Sequence, residues 1–409
     1  MNNIRIYHNC GFRDNWNKDV FEIDKVGYGF ILSPRDMTKN YISSMDDSLI
    51  KKSFFDSQFY NLGFINQNYL SYNFLDCIDT LSDYANEKDE IAKKNIEYQN
   101  NIDFEYINIP TFDFDLLNNN LYDGLYNDMI ESQVNFDPKN KLSLLNELII
   151  KPFTKYIKEE KINKKVLITI IFDLDMAQNV DRYNDLLTLI TNNEVIDGVC
   201  IIPKCQRSYK RVSNIQFLFR MMCFINDLKR VNMEVIVTNC DVESILYAAA
   251  GADAVSLGIY ENLRHYDGSR FAIDDSFKHG PNPRMFSYKL LQWIDYTYLY
   301  PLSDKFDMAD LFEINKYYDA TKIKGYKWHF LKAEPYKHYM LSFNNIINDL
   351  PESINDRVEY VKKMLNNAIV MNKNIRDCGI IFDESNGDSH ISQWLTALSK
   401  YESDVLRGE

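Results

Sequence analysis

Glycine and proline are scarce in this sequence, and positive charge is in the minority. Of 409 residues, 14 are Gly and 10 are Pro. The chain has 46 Lys and Arg residues and 59 Asp and Glu residues, which gives a formal net charge of −13. This charge does not favour phosphate backbones or anionic membranes, so a nucleic-acid partner would need a local basic patch. Abundant Asn, Tyr, Ile and Lys indicate the codon usage of an AT-rich genome rather than an aromatic platform for single strands.

Motifs that would identify a cofactor or a catalytic class are absent. The sequence contains no Gly-x-Gly-x-x-Gly, no phosphate-binding P-loop, no His-Glu-x-x-His and no Gly-x-Ser-x-Gly. The six histidines are dispersed, and Cys200 and Cys205 have no second Cys or His pair at zinc spacing. The sequence therefore predicts no metal site and leaves any cofactor unknown.

Long hydrophobic runs are missing as well. No apolar stretch reaches the roughly 18–20 residues that span a bilayer, and the start, MNNIRIYHNC, lacks the basic flank and apolar run of a signal peptide. The seven cysteines are odd in number and widely spaced, which argues against a disulfide framework. With 45% hydrophobic and 26% charged residues, the composition predicts a globular, soluble, cytoplasmic protein.

Short apolar runs recur along the first two thirds of the chain. They lie at 27–34, 51–60, 103–110, 165–172, 197–203, 233–239 and 252–258. From residue 165 onward the runs are continuous rather than alternating, which is typical of strands covered on both faces. Amphipathic stretches between them, such as NIQFLFRMMCFINDLKRV, predict helices.

Strands that alternate with helices predict parallel pairing with right-handed crossovers. No strand is followed by a Gly-rich phosphate turn, which disfavours a doubly wound sheet. The predicted fold is therefore an α/β, (β/α)8 TIM-barrel-like domain with a mostly helical C-terminal extension. The eighth strand is either NIRIYH near the start or HYMLSF at 338–343.

The expected domain organisation has two parts. Residues 1–270 form the barrel-like domain, with an insertion in the charged, Asn-rich stretch near 76–103. Residues 271–409 form a mostly helical C-terminal cap or subdomain, in which SYKLLQWIDYTYLY (287–300) is expected to be an aromatic helix.

Ionisable and polar residues follow the predicted strands, where a barrel carries its chemistry. The candidate catalytic residues are the carboxylates Asp56, Asp113, Asp173 and Asp175. The candidate substrate-binding residues are Arg35, Gln58, Lys204, Asn239, Arg264, His265 and Arg270.

Each of these assignments has a structural alternative. In Asp173-x-Asp175, strand alternation sends one side chain into the mouth and the other toward a loop. Neighbouring carboxylates raise one pKa, which suits acid/base catalysis, but either residue could instead cap a helix or bind loop amides. Asp56 lies among aromatic residues, where burial of a carboxylate is costly unless a hydrogen bond or a function compensates it.

The loop ENLRHYDGSRF also carries two interpretations. Arg264 and Arg270 could clamp a phosphate or carboxylate while His265 transfers protons near neutral pH. Charged residues in a long loop are more often solvated, and that interpretation is favoured. Asp241 is expected to be the N-cap of the helix VESILYAAA rather than a catalyst.

In coarse layout, a barrel with an appended helical end, the chain resembles the tRNA-guanine transglycosylase superfamily. That family uses aspartates at strand ends to exchange a base at a glycosidic bond. Its zinc motif, Cys-x-Cys-x-x-Cys with a later His, is absent here, so the resemblance implies a reaction class and assigns no residue.

Two functions are therefore carried forward. The first is a barrel enzyme that uses strand-end carboxylates on a polar nucleoside- or sugar-like substrate, as a hydrolase or in glycosyl or base transfer. The second is a non-catalytic barrel scaffold whose C-terminal half, with the run LLQWIDYTYLYPL, binds a protein partner in a larger complex.

Overall fold

The protein is described from a computed structural model, which covers residues 4–62, 66–76, 78, 80–117, 140–271 and 280–408. Eight parallel strands form a nearly closed barrel. They are β1 (Arg5–Asn9), β2 (Gly29–Leu32), β3 (Phe54–Phe55), β4 (Ile107–Ile109), β5 (Val166–Asp173), β6 (Gly198–Lys204), β7 (Glu234–Val237) and β8 (Ala254–Gly258). The predicted (β/α)8 TIM-like fold is confirmed.

The first strand completes the ring. Strand β1 pairs in parallel with both β2 and β8, with Tyr7 opposite Gly29 on one side and Ser256 on the other. NIRIYH is thus the eighth strand, and HYMLSF lies instead within a helix.

The join between β3 and β4 is looser than the other seams. No ladder between these two strands is found among the described residues, but the Glu105 amide donates to the Ser53 carbonyl at 2.9 Å. The side chain of Asn108 also donates to the Phe55 carbonyl at 3.0 Å. These bonds bring the two edge strands together, because buried backbone groups need partners.

Helices alternate with the strands and continue through the C-terminal part. They are α1 (Asp14–Asp24), α2 (Lys39–Ser43), α3 (Asp47–Ile50), α4 (Gln67–Leu70), α5 (Leu81–Ile102), α6 (Lys141–Leu145), α7 (Lys151–Glu159), α8 (Leu174–Gln178), α9 (Val180–Thr191), α10 (Ile215–Arg230), α11 (Ser244–Ala249), α12 (Leu299–Ser303), α13 (Lys316–Thr321), α14 (Glu334–Asn348), α15 (Ile354–Asp377) and α16 (Ser389–Tyr401). A π-helical turn, Asn146–Ile150, joins α6 to α7. Within the described ranges, no helix is both long and apolar enough to cross a membrane.

The barrel interior is a packed core rather than a pore. Seven strands and Tyr106, the residue before β4, each contribute one side chain to a single buried cluster, which consists of Tyr7, Ile31, Phe54, Tyr106, Leu167, Cys200, Ile236 and Ala254. Residues on alternate positions of each strand point outward and pack under the helices, which explains why the strands read as continuous apolar runs.

The segment expected to be an aromatic helix at 287–300 folds mostly as a hairpin. Strands β9 (Arg284–Ser287) and β10 (Gln292–Asp295) pair in antiparallel fashion. Alternate residues face two different cores, because Trp293 packs on the main core and Ile294 packs on a separate C-terminal cluster. Because both faces of this hairpin are buried, its apolar residues fit the spacing of a helix as well as that of a strand. The sequence pattern therefore does not distinguish the two structures.

Candidate functional site

Two predicted catalytic carboxylates meet at the rim of the barrel. Asp56, just after β3, accepts hydrogen bonds from the Tyr60 hydroxyl at 2.9 and 2.8 Å. Asp113, after β4, accepts one from the Tyr266 hydroxyl at 2.8 Å. The Tyr60 and Tyr266 rings are 5.3 Å apart. The structure therefore joins Asp56 and Asp113 through a pair of tyrosines.

Asp113 also forms an ion pair at this rim. Lys204, at the end of β6, lies 2.6 Å from Asp113 and 2.7 Å from Asp115. Asp173 sits beside Asp113 at a small cavity of about 40 Å³, which has room for roughly one water molecule. Its side chain accepts from the Met176 amide at 2.8 Å and so caps α8.

The other predicted residues of this region are held by their neighbours. Asp175 is half exposed and forms an ion pair with Arg182 on α9. Gln58 has a left-handed backbone conformation with a φ of 52°. Its backbone N–H donates a hydrogen bond to the Asp56 carboxylate at 3.1 Å. Arg35 donates to the Arg270 carbonyl at 3.1 Å.

The centre of the barrel mouth is filled by the chain itself. Tyr60, Tyr266 and Phe271 form a buried cluster with Ile202 of β6. The pKa of Asp56 is raised to about 6, because the effect of burial exceeds that of the hydrogen bond from Tyr60, which lowers this pKa. Asp56 and Asp113 are therefore bonded to an aromatic cover of the barrel mouth.

A larger cavity than the one at Asp173 lies to one side of this cover. It has a volume of about 730 Å³ and opens between the carboxyl ends of β6, β7 and β8 and the C-terminal hairpin. Its walls come from the loops at 207–211, 241–243 and 260–265, from hairpin residues 291–293 and from the segment 330–336. A (β/α)8 barrel carries its active site at this end of the strands.

Asp241 stands at the centre of the charged wall of this cavity. Its carboxylate accepts from Arg207 at 3.3 Å, from Arg264 at 3.2 Å and from the Trp293 indole at 3.5 Å. Burial would raise the pKa of Asp241, but the charges of Arg264 and Arg207 outweigh it and lower the pKa. The expected N-cap role is wrong, because α11 has no side-chain cap and this carboxylate is bound by two guanidiniums.

Glu243 is the second carboxyl group in the same wall. It is buried, and its Oε1 accepts a hydrogen bond from the Asp241 amide at 3.1 Å. Burial raises the pKa of Glu243; the charge of Arg207 opposes that rise and the charge of Asp241 adds to it. Two neighbouring carboxyl groups with pKa values shifted in opposite directions are suited to separate acid and base roles.

The loop after β8 supplies the next part of the wall. Arg264 is buried, with its guanidinium carbon 4.2 Å from the centre of the Trp293 ring and a hydrogen bond to the Ile259 carbonyl at 2.7 Å. The side chain of Arg270 is 9% exposed. These arginines are therefore packed against the protein rather than solvated, contrary to the interpretation favoured from the sequence.

The remaining predicted binding residues are His265 and Asn239. His265 Nδ1 lies 3.2 Å from the Glu261 carbonyl, and burial, followed by the charge of Arg207, lowers the pKa of this imidazole. A lowered pKa leaves His265 neutral at pH 7. Asn239 follows β7 in a left-handed conformation with φ 50° and is half-buried.

Sequence reasoning missed Glu243, Arg211 and the cavity wall formed by Trp293. Glu243 carried a usable signal, since it is a carboxylate two residues after Asp241 at a strand end. Arg211 and Trp293 carried none, because they reach the cavity through a loop turn and through a hairpin far away in the chain.

Among the residues that the structure describes, no group of three or more His, Cys, Asp or Glu side chains could hold a metal ion. In comparisons with known proteins, no family model matches the chain and no curated protein matches it significantly.

Proposed function

We propose that this protein is a barrel enzyme that uses strand-end carboxylates on a polar nucleoside- or sugar-like substrate, by hydrolysis or by glycosyl or base transfer. The substrate site is the cavity of about 730 Å³ beside the barrel mouth. The observation that carries the proposal is that Asp241 and Glu243 line this cavity with pKa values shifted in opposite directions.

Glu243 has the properties of a general acid. Its raised pKa favours the protonated carboxyl group, which can donate its proton to the leaving group as the glycosidic bond breaks and water or the acceptor bonds to the anomeric carbon. Asp241 is a positioning residue, because its negative charge supports the protonated form of Glu243 and its oxygens fix Arg207 and Arg264. An acid held protonated by burial and by a like charge is a common arrangement in glycosyl cleavage.

The other walls suit a substrate with a planar or ring-shaped part. The half-buried rings of Tyr260, Phe330 and Tyr336 line the same cavity. Aromatic faces pack on nucleobases and on the apolar faces of sugars. A polar ligand would thus meet charged groups on one side and aromatic rings on the other.

The four aspartates predicted as catalytic stay candidates for the same reaction. Asp56, Asp113 and Asp173 are gathered on the adjoining rim, while Asp175 pairs with Arg182. Use of Asp56 or Asp113 would require the ring cluster of Tyr60, Tyr266 and Phe271 to move aside, whereas Glu243 lines an open cavity.

The scaffold alternative is supported by that same filled mouth. Its proposed interface is less well supported, because Leu290, Leu291, Trp293 and Ile294 of the aromatic run are buried. Tyr300, at 81% exposure, is the most exposed ring of the run. A run that is mostly core offers little apolar surface to a partner, so the enzyme is the better proposal.

The test begins with a thermal-shift screen of nucleosides, nucleotides, sugars and sugar phosphates, followed by product analysis for each stabilising compound. Glu243→Gln should bind the compound and lose turnover, since the amide has no acidic proton to donate. Exposed Glu159 on α7 provides the matched control, and Glu159→Gln should behave as wild type. Turnover that survives in Glu243→Gln, or a screen in which nothing binds, contradicts the proposal.

A further inference from the structure

The cavity has a positive lining in an acidic protein. Five cationic side chains line it, namely Arg207, Lys210, Arg211, Arg264 and Arg284, and three acidic ones, namely Asp241, Glu243 and Glu261. The chain as a whole carries −13. A local excess of cations against the overall charge attracts an anionic group by focusing the field in a cleft.

Arg211 forms no ion pair with a carboxylate of this lining. Its guanidinium donates to the backbone carbonyls of Tyr209 at 3.1 Å and Ser385 at 2.9 Å, and no carboxylate in the described part of the chain forms an ion pair with it. Burial and the charges of Arg284 and Arg207 together lower the pKa of Arg211 to about 10, although the charges of Asp241 and Glu261 act to raise it. A further negative group beside Arg211, Arg207 and Arg284 would reduce the repulsion between these guanidiniums.

Arg207 has spare hydrogen-bonding capacity as well. Its side chain is 7% exposed and its Nη2 binds Asp241. Its Nε and Nη1 are buried and have no hydrogen-bond partner among the described residues, with Glu261 at 3.8 Å from Nη1. Buried donors of this kind are normally satisfied, so they indicate a missing acceptor.

A strained turn holds the two arginines in place. Ser208 and Arg211 exchange both backbone hydrogen bonds, at 2.9 and 3.0 Å. The residues between them, Tyr209 and Lys210, have φ of 46° and 71°, a conformation that normally requires Gly or Asn. Strain of this kind is concentrated at ligand-binding sites.

We propose that Arg207 and Arg211 form the core of a phosphate subsite in this cavity, with Arg284, whose Nε also binds Asp295 at 2.6 Å, as the third guanidinium, and that the substrate is a phosphomonoester of a nucleoside or sugar. The inference rests on the proposed function for the position of the reacting bond near Glu243. Arginine presents planar pairs of donors that match phosphate oxygens, and three guanidiniums suit a dianion better than a carboxylate.

Binding is measured by calorimetry and thermal shift with inorganic phosphate, adenosine 5′-monophosphate and glucose 6-phosphate, with adenosine, glucose and acetate as comparisons. Phosphate-bearing compounds should bind, with affinity that falls as salt rises. A stronger response to the nucleotide than to the sugar phosphate identifies the nucleoside class, and the reverse identifies the sugar class. Wild-type protein that binds none of the three in the millimolar range overturns the subsite.

Arg211→Gln should weaken phosphate binding by about tenfold or more, the effect of losing one charged hydrogen-bonding group. Arg182→Gln removes an arginine paired on α9 outside the cavity and should change nothing. Arg211→Lys keeps the charge without the planar donors and should bind with intermediate affinity. Equal binding by wild type and Arg211→Gln would refute the assignment.

The two proposals fail separately. Glu243→Gln should still bind phosphate, so loss of turnover with intact binding supports both. If the protein turns over nucleosides in a reaction that requires Glu243 but binds no phosphate, the phosphate subsite is refuted and the proposed function is retained.

Discussion

Asp241 and Glu243 are linked by a hydrogen bond of 3.1 Å from the amide of the first to the carboxyl of the second, yet their pKa values move in opposite directions. Both are buried, so burial does not separate them. The difference lies in the cations, because Asp241 accepts directly from Arg207 and Arg264 whereas Glu243 binds a backbone amide. One loop therefore presents two carboxyl groups to the same cavity, one with a lowered pKa and one with a raised pKa.

Asp241→Asn should destabilise the protein by about 3–5 kcal/mol, because it leaves two buried guanidiniums without their shared counter-charge. Urea denaturation followed by circular dichroism measures this loss. Asp175→Asn is the control, since Asp175 makes a half-exposed pair with Arg182 and should cost only about 0–1 kcal/mol. Similar losses in the two variants would mean that the Asp241 cluster is solvated.

Asp56→Asn should stabilise the protein at pH 7 and lose that advantage in acid. The pKa of Asp56 is raised from 3.8 to about 6, so the folded protein holds this proton more tightly than the unfolded chain. Stability therefore falls as pH rises between those values, and the charged carboxylate costs up to about 3 kcal/mol above them. Denaturation of both proteins at pH 5 and pH 7.5 measures the difference, and equal pH dependence contradicts it.

The barrel could be predicted from sequence because its strands are buried on both faces. Strand β5 runs from 166 to 173, within one residue of the apolar run at 165–172, and β6 is as close to its run at 197–203. The hairpin at 284–295 was not predictable in the same way. Its residues face two cores, so a period of two and a helical period fit the sequence equally well.

The site was only partly predictable, for a different physical reason. Strand ends gave the correct edge of the barrel, and Lys204 and Asp113 do meet there. The role of Asp241 could not be predicted from the sequence, since a carboxylate just before a helix is the usual pattern of an N-cap. Its actual partner, Arg264, is 23 residues further along the chain and approaches only in the folded barrel.

Gly29→Ala should destabilise the barrel by roughly 3 kcal/mol, because overpacking forces backbone atoms apart. A Cβ at Gly29 would lie 1.7 Å from the carbonyl oxygen of Lys52, because β2 lies close to the residues just before β3. Gly387→Ala is the matched control, since the nearest atom to its Cβ is at 3.4 Å. Thermal unfolding of the two variants compares them, and an unchanged midpoint for Gly29→Ala would show that these strands are farther apart.

Tyr60→Phe should raise the pKa of Asp56 above 6 without emptying the barrel mouth. The Tyr60 hydroxyl donates to both oxygens of this carboxylate and so favours its charged form, while the ring, which packs on Tyr266 and Phe271, is retained. Carbon-detected NMR of the aspartate carboxyl groups follows the titration, and the signal absent in Asp56→Asn identifies the residue. The variant should lose more stability at pH 7.5 than at pH 5, since the hydroxyl matters most when Asp56 is charged. An Asp56 pKa that stays the same or falls would mean that the tyrosine does not control this carboxylate.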